Sequence, residues 1–139
     1  MTIPWNIIDK VLEGKRLAKY EVKILFRNYH ALLKILGVEG NPTSSSSIIL
    51  LGTQRTNLTM EQLSAICIVL RKMRNALKRL DEEYTDEFMI FEKKIINGKT
   101  YFDTAVEMNM QAETKNATEQ RMQRKIKKAC FLMINFLQG

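Results

Sequence analysis

The residues with the clearest chemical potential lie near the carboxyl terminus, between positions 115 and 128. This stretch holds six lysines and arginines but a single acidic residue, Glu119. Lysine and arginine neutralise phosphate groups, and arginine and glutamine also form paired hydrogen bonds with base edges in the major groove. Such an excess of positive charge indicates a polyanionic partner, of which nucleic acid is the common one.

The spacing in this stretch predicts a helix with one apolar and one cationic face. Asn116 and Glu119 are the predicted capping pair at its start. The apolar residues recur at intervals of three and four; they are Met122, Ile126, Ala129 and Met133, with Cys130 and Leu137 adjoining. At about 100° per residue, a second set falls opposite this stripe and is expected to face DNA. These residues are Gln120, Arg121, Arg124 and Lys128, flanked by Lys125 and Lys127.

Enzymatic and metal chemistry find little support in the sequence. The one histidine, His30, and the two cysteines, Cys67 and Cys130, are too few for a structural zinc site. We see no phosphate-binding glycine loop and no paired carboxylates in an apolar setting. We therefore expect a protein that is not an enzyme, holds no metal and uses no cofactor.

The apolar patterns predict an all-α fold in this chain of 139 residues with a net charge of +7. No apolar run approaches the roughly 20 residues that span a bilayer, so we expect no membrane partner. Four regions are predicted. They are an N-terminal helical module or hairpin (1–36), a linker (37–57), a long helix packing on or pairing with the module (58–83), and a helix-turn-helix region (84–139).

The N-terminal module is predicted to contain two helices. Pro4 suits the first turn of a short helix that ends near Glu13, where Gly14 interrupts it. Residues 15–36 are predicted as a second helix, which Gly37 terminates. Its apolar residues form a heptad seam; they are Ala18, Val22, Leu25, Tyr29, Leu32 and Leu36. Residues 1–36 also carry seven basic and three acidic groups.

The linker is rich in glycine, serine and an Asn-Pro pair, all typical of turns and coil. Its polarity is interrupted by the apolar residues 48–51. This segment either docks on the core, the interpretation we favour, or acts as a tether in oligomerisation.

The long helix has a complete start signal, because Thr59 and Gln62 form a predicted capping box. It is expected to end near Leu80, before an acidic break at 81–83. A second seam runs along it; its members are Leu63, Ile66, Leu70, Met73, Leu77 and Leu80. The two seams are predicted to form ordinary core, and pairing between chains in a homo-oligomer is the alternative.

Two short helices are predicted next, at residues 86–96 with Thr85 as N-cap and at 101–108 with Thr100 as N-cap. The dipeptide 97–98 ends the first. The second shows three features of a helix-turn-helix: a small residue in mid-helix, a residue tolerant of left-handed backbone, and an apolar residue just beyond the turn. These are Ala105, Asn109 and Met110.

Four stretches carry a family resemblance: residues 88–92, 98–105, 108–110 and 124–129. Through them the chain resembles the C-terminal half of phage-encoded transcriptional regulators of the RinA and ArpU type, which look like the sigma-factor region four. The resemblance implies a sequence-specific activator that binds double-stranded DNA at late-gene promoters of a bacteriophage or prophage, in the cytoplasm of a bacterial host cell.

The resemblance also implies roles for individual residues. Lys99 and Thr100 match positions that contact the DNA backbone at the start of the first motif helix. The N-terminal helices would oligomerise or contact the host RNA polymerase. The positions that match the groove-facing part of the second helix are Arg121, Gln123, Arg124 and Lys125.

The chain departs from this family between Met110 and Met122, where eleven residues stand in place of a shorter turn. Either the longer loop, within residues 111–121, contacts DNA through Lys115 and Asn116, or the last helix packs differently. The alternative function is a helical protein–protein interaction module, such as a phage adaptor or an antagonist of a host factor, without DNA binding.

Overall fold

The computed structural model describes residues 2–37, 57–110 and 114–138, and over these ranges the chain is helical and contains no strand. The predicted all-α fold is therefore confirmed. The segment 48–51 lies outside the described residues. The helices are α1 (Trp5–Leu12), α2 (Lys19–Arg27), α3 (Tyr29–Leu36), α4 (Met60–Glu83), α5 (Thr85–Phe91), α6 (Tyr101–Glu107) and α7 (Lys115–Gln138), with a π-helical turn (Glu92–Ile96) following α5.

The helix predicted over residues 15–36 begins later than expected. As predicted, α1 ends before Gly14, whose backbone is left-handed with a φ of 73°. The next helix, α2, begins only at Lys19, because the Glu21 carboxylate accepts a hydrogen bond from the backbone N–H of Ala18 at 2.9 Å and caps the helix there. Ala18 is consequently exposed and is not part of the apolar seam.

The same predicted helix is also interrupted in its middle. The Asn28 side-chain amide donates a hydrogen bond to the Ile24 carbonyl oxygen at 2.7 Å. Such a local bond competes with the helical ladder, and α2 ends at Arg27 before α3 begins at Tyr29. The termination of α3 by Gly37, with a φ of 70°, is as predicted.

The start of α4 matches its prediction in full. The Thr59 hydroxyl accepts a hydrogen bond from the Gln62 N–H at 3.1 Å, and the Gln62 side chain accepts one from the Thr59 N–H at 2.9 Å. The helix continues past the predicted end near Leu80, because the acidic residues that follow are helical as far as Glu83, where the predicted long-helix region 58–83 also ends. A salt bridge of 2.7 Å between Arg79 and Glu83, one turn apart, supports this last turn.

The helix predicted over residues 86–96 also differs at both ends. Thr85 is its first helical residue and not the N-cap, and its hydroxyl donates to the Asp81 carbonyl oxygen at 2.8 Å. Regular α-helical geometry ends at Phe91, and the π-helical turn widens the backbone as far as Ile96. Gly98, with a φ of 65°, lies beyond this turn, where the sequence predicts the stop.

Both apolar seams are buried in a core that all parts of the described chain share. Helix α4 packs against α1 and α3, and α7 packs against α2, α4 and α5. Because these side chains are buried within one chain, a homo-oligomer would need a different surface. The buried seam residues are Val22, Leu25, Tyr29, Leu32, Leu36, Leu63, Ile66, Leu70, Met73, Leu77 and Leu80.

None of the described helices combines the length with the apolar composition that a bilayer-spanning segment requires.

Candidate nucleic-acid interface

The turn that leads from α6 towards α7 has the local features predicted for it. The Thr100 hydroxyl caps α6 by accepting a hydrogen bond from the Asp103 N–H at 3.0 Å. Asn109 has a left-handed backbone with a φ of 54°. Beyond it, Met110 is buried, and its N–H donates to the Ala105 carbonyl oxygen at 2.9 Å. These contacts close the end of α6.

The start of α7 differs from the prediction. The helix begins at Lys115, and Thr114 is its N-cap because the Thr114 hydroxyl accepts a hydrogen bond from the Ala117 N–H at 3.2 Å. The predicted capping pair of Asn116 and Glu119 is therefore wrong, since both residues lie inside the helix.

The apolar face of α7 is buried as predicted. Next to it, the Thr118 hydroxyl donates to the Met110 carbonyl oxygen at 3.2 Å, which joins the helix to the preceding turn. Burial raises the pKa of the Cys130 thiol, so this cysteine behaves as a packing residue. The buried residues of this face are Met122, Ile126, Ala129, Cys130, Met133 and Leu137.

The opposite face of α7 presents four polar side chains in one line. Gln120, Gln123, Arg124 and Lys127 are all exposed and together line a shallow depression. The Arg124 Nε reaches back to the Gln120 carbonyl oxygen at 3.4 Å, a long bond that leaves the rest of the guanidinium towards solvent. We call these four residues the α7 face. It offers two cations and two amides with no acidic side chain among them.

Two further predicted site residues, Lys125 and Lys128, are turned towards α5 instead. Their Nζ atoms lie 3.5 and 3.4 Å from the Glu87 carboxylate, and Lys128 also lies 4.9 Å from the centroid of the Tyr84 ring. Burial raises the pKa of Glu87, but its own backbone N–H and the charges of the two lysines outweigh burial and hold the pKa below its ordinary value of 4.5. These lysines are thus partly neutralised within the protein.

The remaining predicted site residues lie apart from the α7 face. Arg121 is half-buried, and Lys115 is exposed at the start of α7. Lys99 forms an ion pair with Glu107, and the Thr100 hydroxyl is used in capping α6. The structure therefore does not bring all ten predicted residues into one surface.

A second basic helix adjoins the α7 face, and the sequence reasoning did not include it. Lys19, Lys23 and Arg27 of α2 line a cleft together with Gln123 and Lys127 of α7. Their spacing of four residues was visible in the sequence. What the sequence could not show is that α2 packs beside α7, because that contact joins residues distant in the chain.

Metal binding and histidine chemistry have little support in the described part of the chain. It contains no group of three or more His, Cys, Asp or Glu side chains placed to hold a metal ion. His30 is exposed, and its Nε2 atom lies 2.9 Å from the Asn97 side-chain oxygen. Comparisons with protein-family models, curated proteins and solved structures find no match to this chain.

Proposed function

We propose that this chain is a sequence-specific DNA-binding protein that presents the α7 face to the major groove of a duplex. The observation that carries the proposal is the exposed line of Gln120, Gln123, Arg124 and Lys127 on a helix whose other side is anchored in the core. A helix held in this way offers side chains of fixed spacing, which sequence readout requires.

The chemistry of the four residues suits two separate tasks. Glutamine forms paired hydrogen bonds with adenine, and arginine with guanine, so Gln120, Gln123 and Arg124 can read base edges. Lys127 adds a cation for a neighbouring phosphate, which positions the helix without reading sequence. Lys125 and Lys128 contribute less, because Glu87 already compensates part of their charge.

The finer proposal is that of a transcriptional regulator. The resemblance to phage-encoded regulators of the RinA and ArpU type supports a late-gene activator acting on a bacteriophage or prophage promoter in the bacterial cytoplasm. Host RNA polymerase is then a second partner. The capped α6, the left-handed Asn109 and the buried Met110 are consistent with the helix-turn-helix that this resemblance implies.

The test is selection of bound duplexes from a random library, followed by affinity measurements on selected and shuffled sequences. We expect the selected duplex to bind at least about 10³-fold more tightly than a shuffled one. Gln123→Ala should reduce this preference about tenfold, since one base contact contributes roughly 1–3 kcal/mol. It should leave the salt dependence unchanged, because glutamine is neutral.

The matched control is Gln138→Ala, which removes an exposed amide from the far end of the same helix. This variant should retain the full preference. Failure of the library to yield any preferred duplex would contradict sequence-specific binding.

A helical interaction module is the second candidate, and one observation favours it. On α6, Phe102 is 72% exposed and Val106, one turn later, is 41% exposed. Adjacent exposed apolar side chains are typical of protein contact sites. A stable oligomer in sedimentation together with no enrichment of any duplex would favour this candidate.

A further inference from the structure

The cleft between α2 and α7 gathers several positive charges from separate parts of the chain. It has a volume of about 470 Å³ and is walled by α2 on one side, α7 on the other and the π-helical turn with the start of α6 at its end. Five of the nine residues that line it are lysine or arginine, and none of these nine is acidic. The lining residues are Lys19, Lys23, Arg27, Lys94, Ile95, Tyr101, Gln123, Ile126 and Lys127.

Within the described residues, no carboxylate compensates the α2 and α7 cations of this cleft. Lys19, Lys23, Arg27 and Lys127 form no ion pair with any other described residue. Like charges gathered on facing helices repel one another, and an anion between them relieves that repulsion. The cleft is therefore suited to a ligand with several negative charges.

One cation at the end of the cleft is held in a defined position. The Lys94 Nζ atom donates to the Lys99 carbonyl oxygen at 2.6 Å and lies 3.9 Å from the centroid of the Tyr101 ring. Neither partner carries a negative charge, so the full positive charge of Lys94 remains available. The ammonium group is pre-positioned, which reduces the entropy lost when an anion binds.

The field of the α2 cations extends across to α7. Burial dominates and raises the pKa of Cys130, while the charges of Lys23, Lys19 and Arg27 act in the opposite direction. The geometry agrees, because Lys19, Lys23 and Arg27 line the same cleft as Gln123 and Lys127 of α7.

The arrangement of these cations fits a repeating anion better than a single one. Lys19, Lys23 and Arg27 follow at intervals of four residues, so about 6 Å of helix axis separates each from the next. Successive phosphates of a nucleic-acid strand present charges on the same scale. Gln123 and Lys127 line both the cleft and the depression of the α7 face, so the two surfaces are continuous.

We propose that the α2–α7 cleft is a phosphate-binding site that holds the backbone of the nucleic-acid strand lying next to the α7 face. This inference rests on the proposed function, because it takes the strand from the duplex that α7 reads. Helix α2 then supplies the sequence-independent part of the affinity, and the α7 face supplies the sequence preference.

The test compares two variants with equal loss of charge. The cleft variant combines Lys19→Ala, Lys23→Ala and Arg27→Ala. The control variant combines Arg71→Ala, Arg74→Ala and Lys78→Ala, which removes three exposed cations from α4. Affinity for the selected and the shuffled duplex is measured over a range of salt concentrations.

We expect the cleft variant to lower the slope of log affinity against log salt by about three, since each phosphate contact contributes close to one. At moderate salt its affinity should fall about 10–100-fold for both duplexes alike. The control variant should stay close to the wild type. The single substitutions Lys19→Ala and Arg27→Ala should each lower the slope by about one. They replace the triple variant in the measurement if that variant does not fold.

The possible outcomes distinguish a failure of this inference from a failure of the proposed function. If the wild type binds duplex and the cleft and control variants have equal slopes, the cleft assignment is overturned while DNA binding by the α7 face stands. If the wild type binds no duplex, the proposed function and the strand assignment both fail. Titration with inorganic tripolyphosphate then decides whether the cleft takes a free phosphate compound, an outcome that also overturns the strand assignment.

Discussion

This protein contains two groups of neighbouring lysines, and the groups differ in whether an acidic side chain lies beside them. At α6, Lys93 and Lys99 both bind the Glu107 carboxylate, and these hydrogen bonds lower the pKa of Glu107 below its ordinary value of 4.5. In the α2–α7 cleft, Lys23 and Lys127 have no acidic partner among the described residues. The comparison teaches that a count of cations is not enough, because a carboxylate of the same chain compensates one group and, among the described residues, leaves the other uncompensated.

The same contrast recurs within α7. Arg124 and Lys127 are exposed on one side of the helix, whereas Lys125 and Lys128 lie close to Glu87 on another. A count of basic residues over positions 115–128 treats these four as equivalent. The fold separates them, because α5 places its carboxylate beside only two of them.

The largest expected effect follows from removing cations of the α7 face. We expect Arg124→Ala combined with Lys127→Ala to lower affinity for the selected duplex about 100-fold. Arg124 supplies a base contact and Lys127 a phosphate contact, so the salt slope should fall by about one. Fluorescence anisotropy with a labelled duplex measures both quantities.

The matched comparison is Lys93→Ala combined with Lys99→Ala. This variant also removes two positive charges, but it takes them from the lysines that pair with Glu107. Affinity should change by less than about threefold, because these lysines already have an anionic partner in Glu107. Equal losses of affinity in the two double variants would contradict the distinction between compensated and uncompensated cations.

A smaller effect is expected from Glu87→Gln, which releases Lys125 and Lys128. Affinity for any duplex should rise about threefold, because two cations become available for phosphate. The free energy of unfolding should fall by about 1 kcal/mol at pH 7, since a hydrogen-bonded ion pair is lost. Anisotropy and denaturant titration measure the two changes, and unchanged affinity would show that the lysines do not reach DNA even when released.

The stability difference between the wild type and Glu87→Gln should change with pH in a definite direction. The folded-state pKa of Glu87 is lowered, so its contribution to stability is fully present above the ordinary value of 4.5 and is lost as the pH falls through the lower folded-state value. The difference in unfolding free energy between wild type and Glu87→Gln should therefore disappear in acid. A difference that persists there would assign the stability loss to packing.

Much of the local structure could be predicted from the sequence because it depends on residues a few positions apart. The capping box of Thr59 and Gln62, the Thr100 cap and the left-handed backbone at Asn109 are all of this kind. Each is a bond or a backbone preference that no distant residue alters. The apolar face of α7 was predictable for the same reason, since it depends on helical periodicity alone.

The sequence-based predictions were wrong where a contact with a distant residue, or a local hydrogen bond that competes with the helix, decides the structure. The break at Asn28 depends on a side-chain bond to Ile24 that the heptad pattern does not reveal. The partial neutralisation of Lys125 and Lys128 depends on the packing of α5 against α7, and the cleft depends on that of α2 against α7. Helical spacing places a cation on a face of its own helix, but tertiary packing decides what lies opposite.

The most direct test of the central claim is protection of individual lysines from amine-specific labelling when the selected duplex is bound. The ratio of bound to free reactivity is read for each lysine by mass spectrometry. We expect Lys19, Lys23 and Lys127 to lose most of their reactivity, while Lys78 on α4 and Lys99 beside Glu107 keep theirs. Protection of Lys99 or Lys78 with no protection of the cleft lysines would contradict the account.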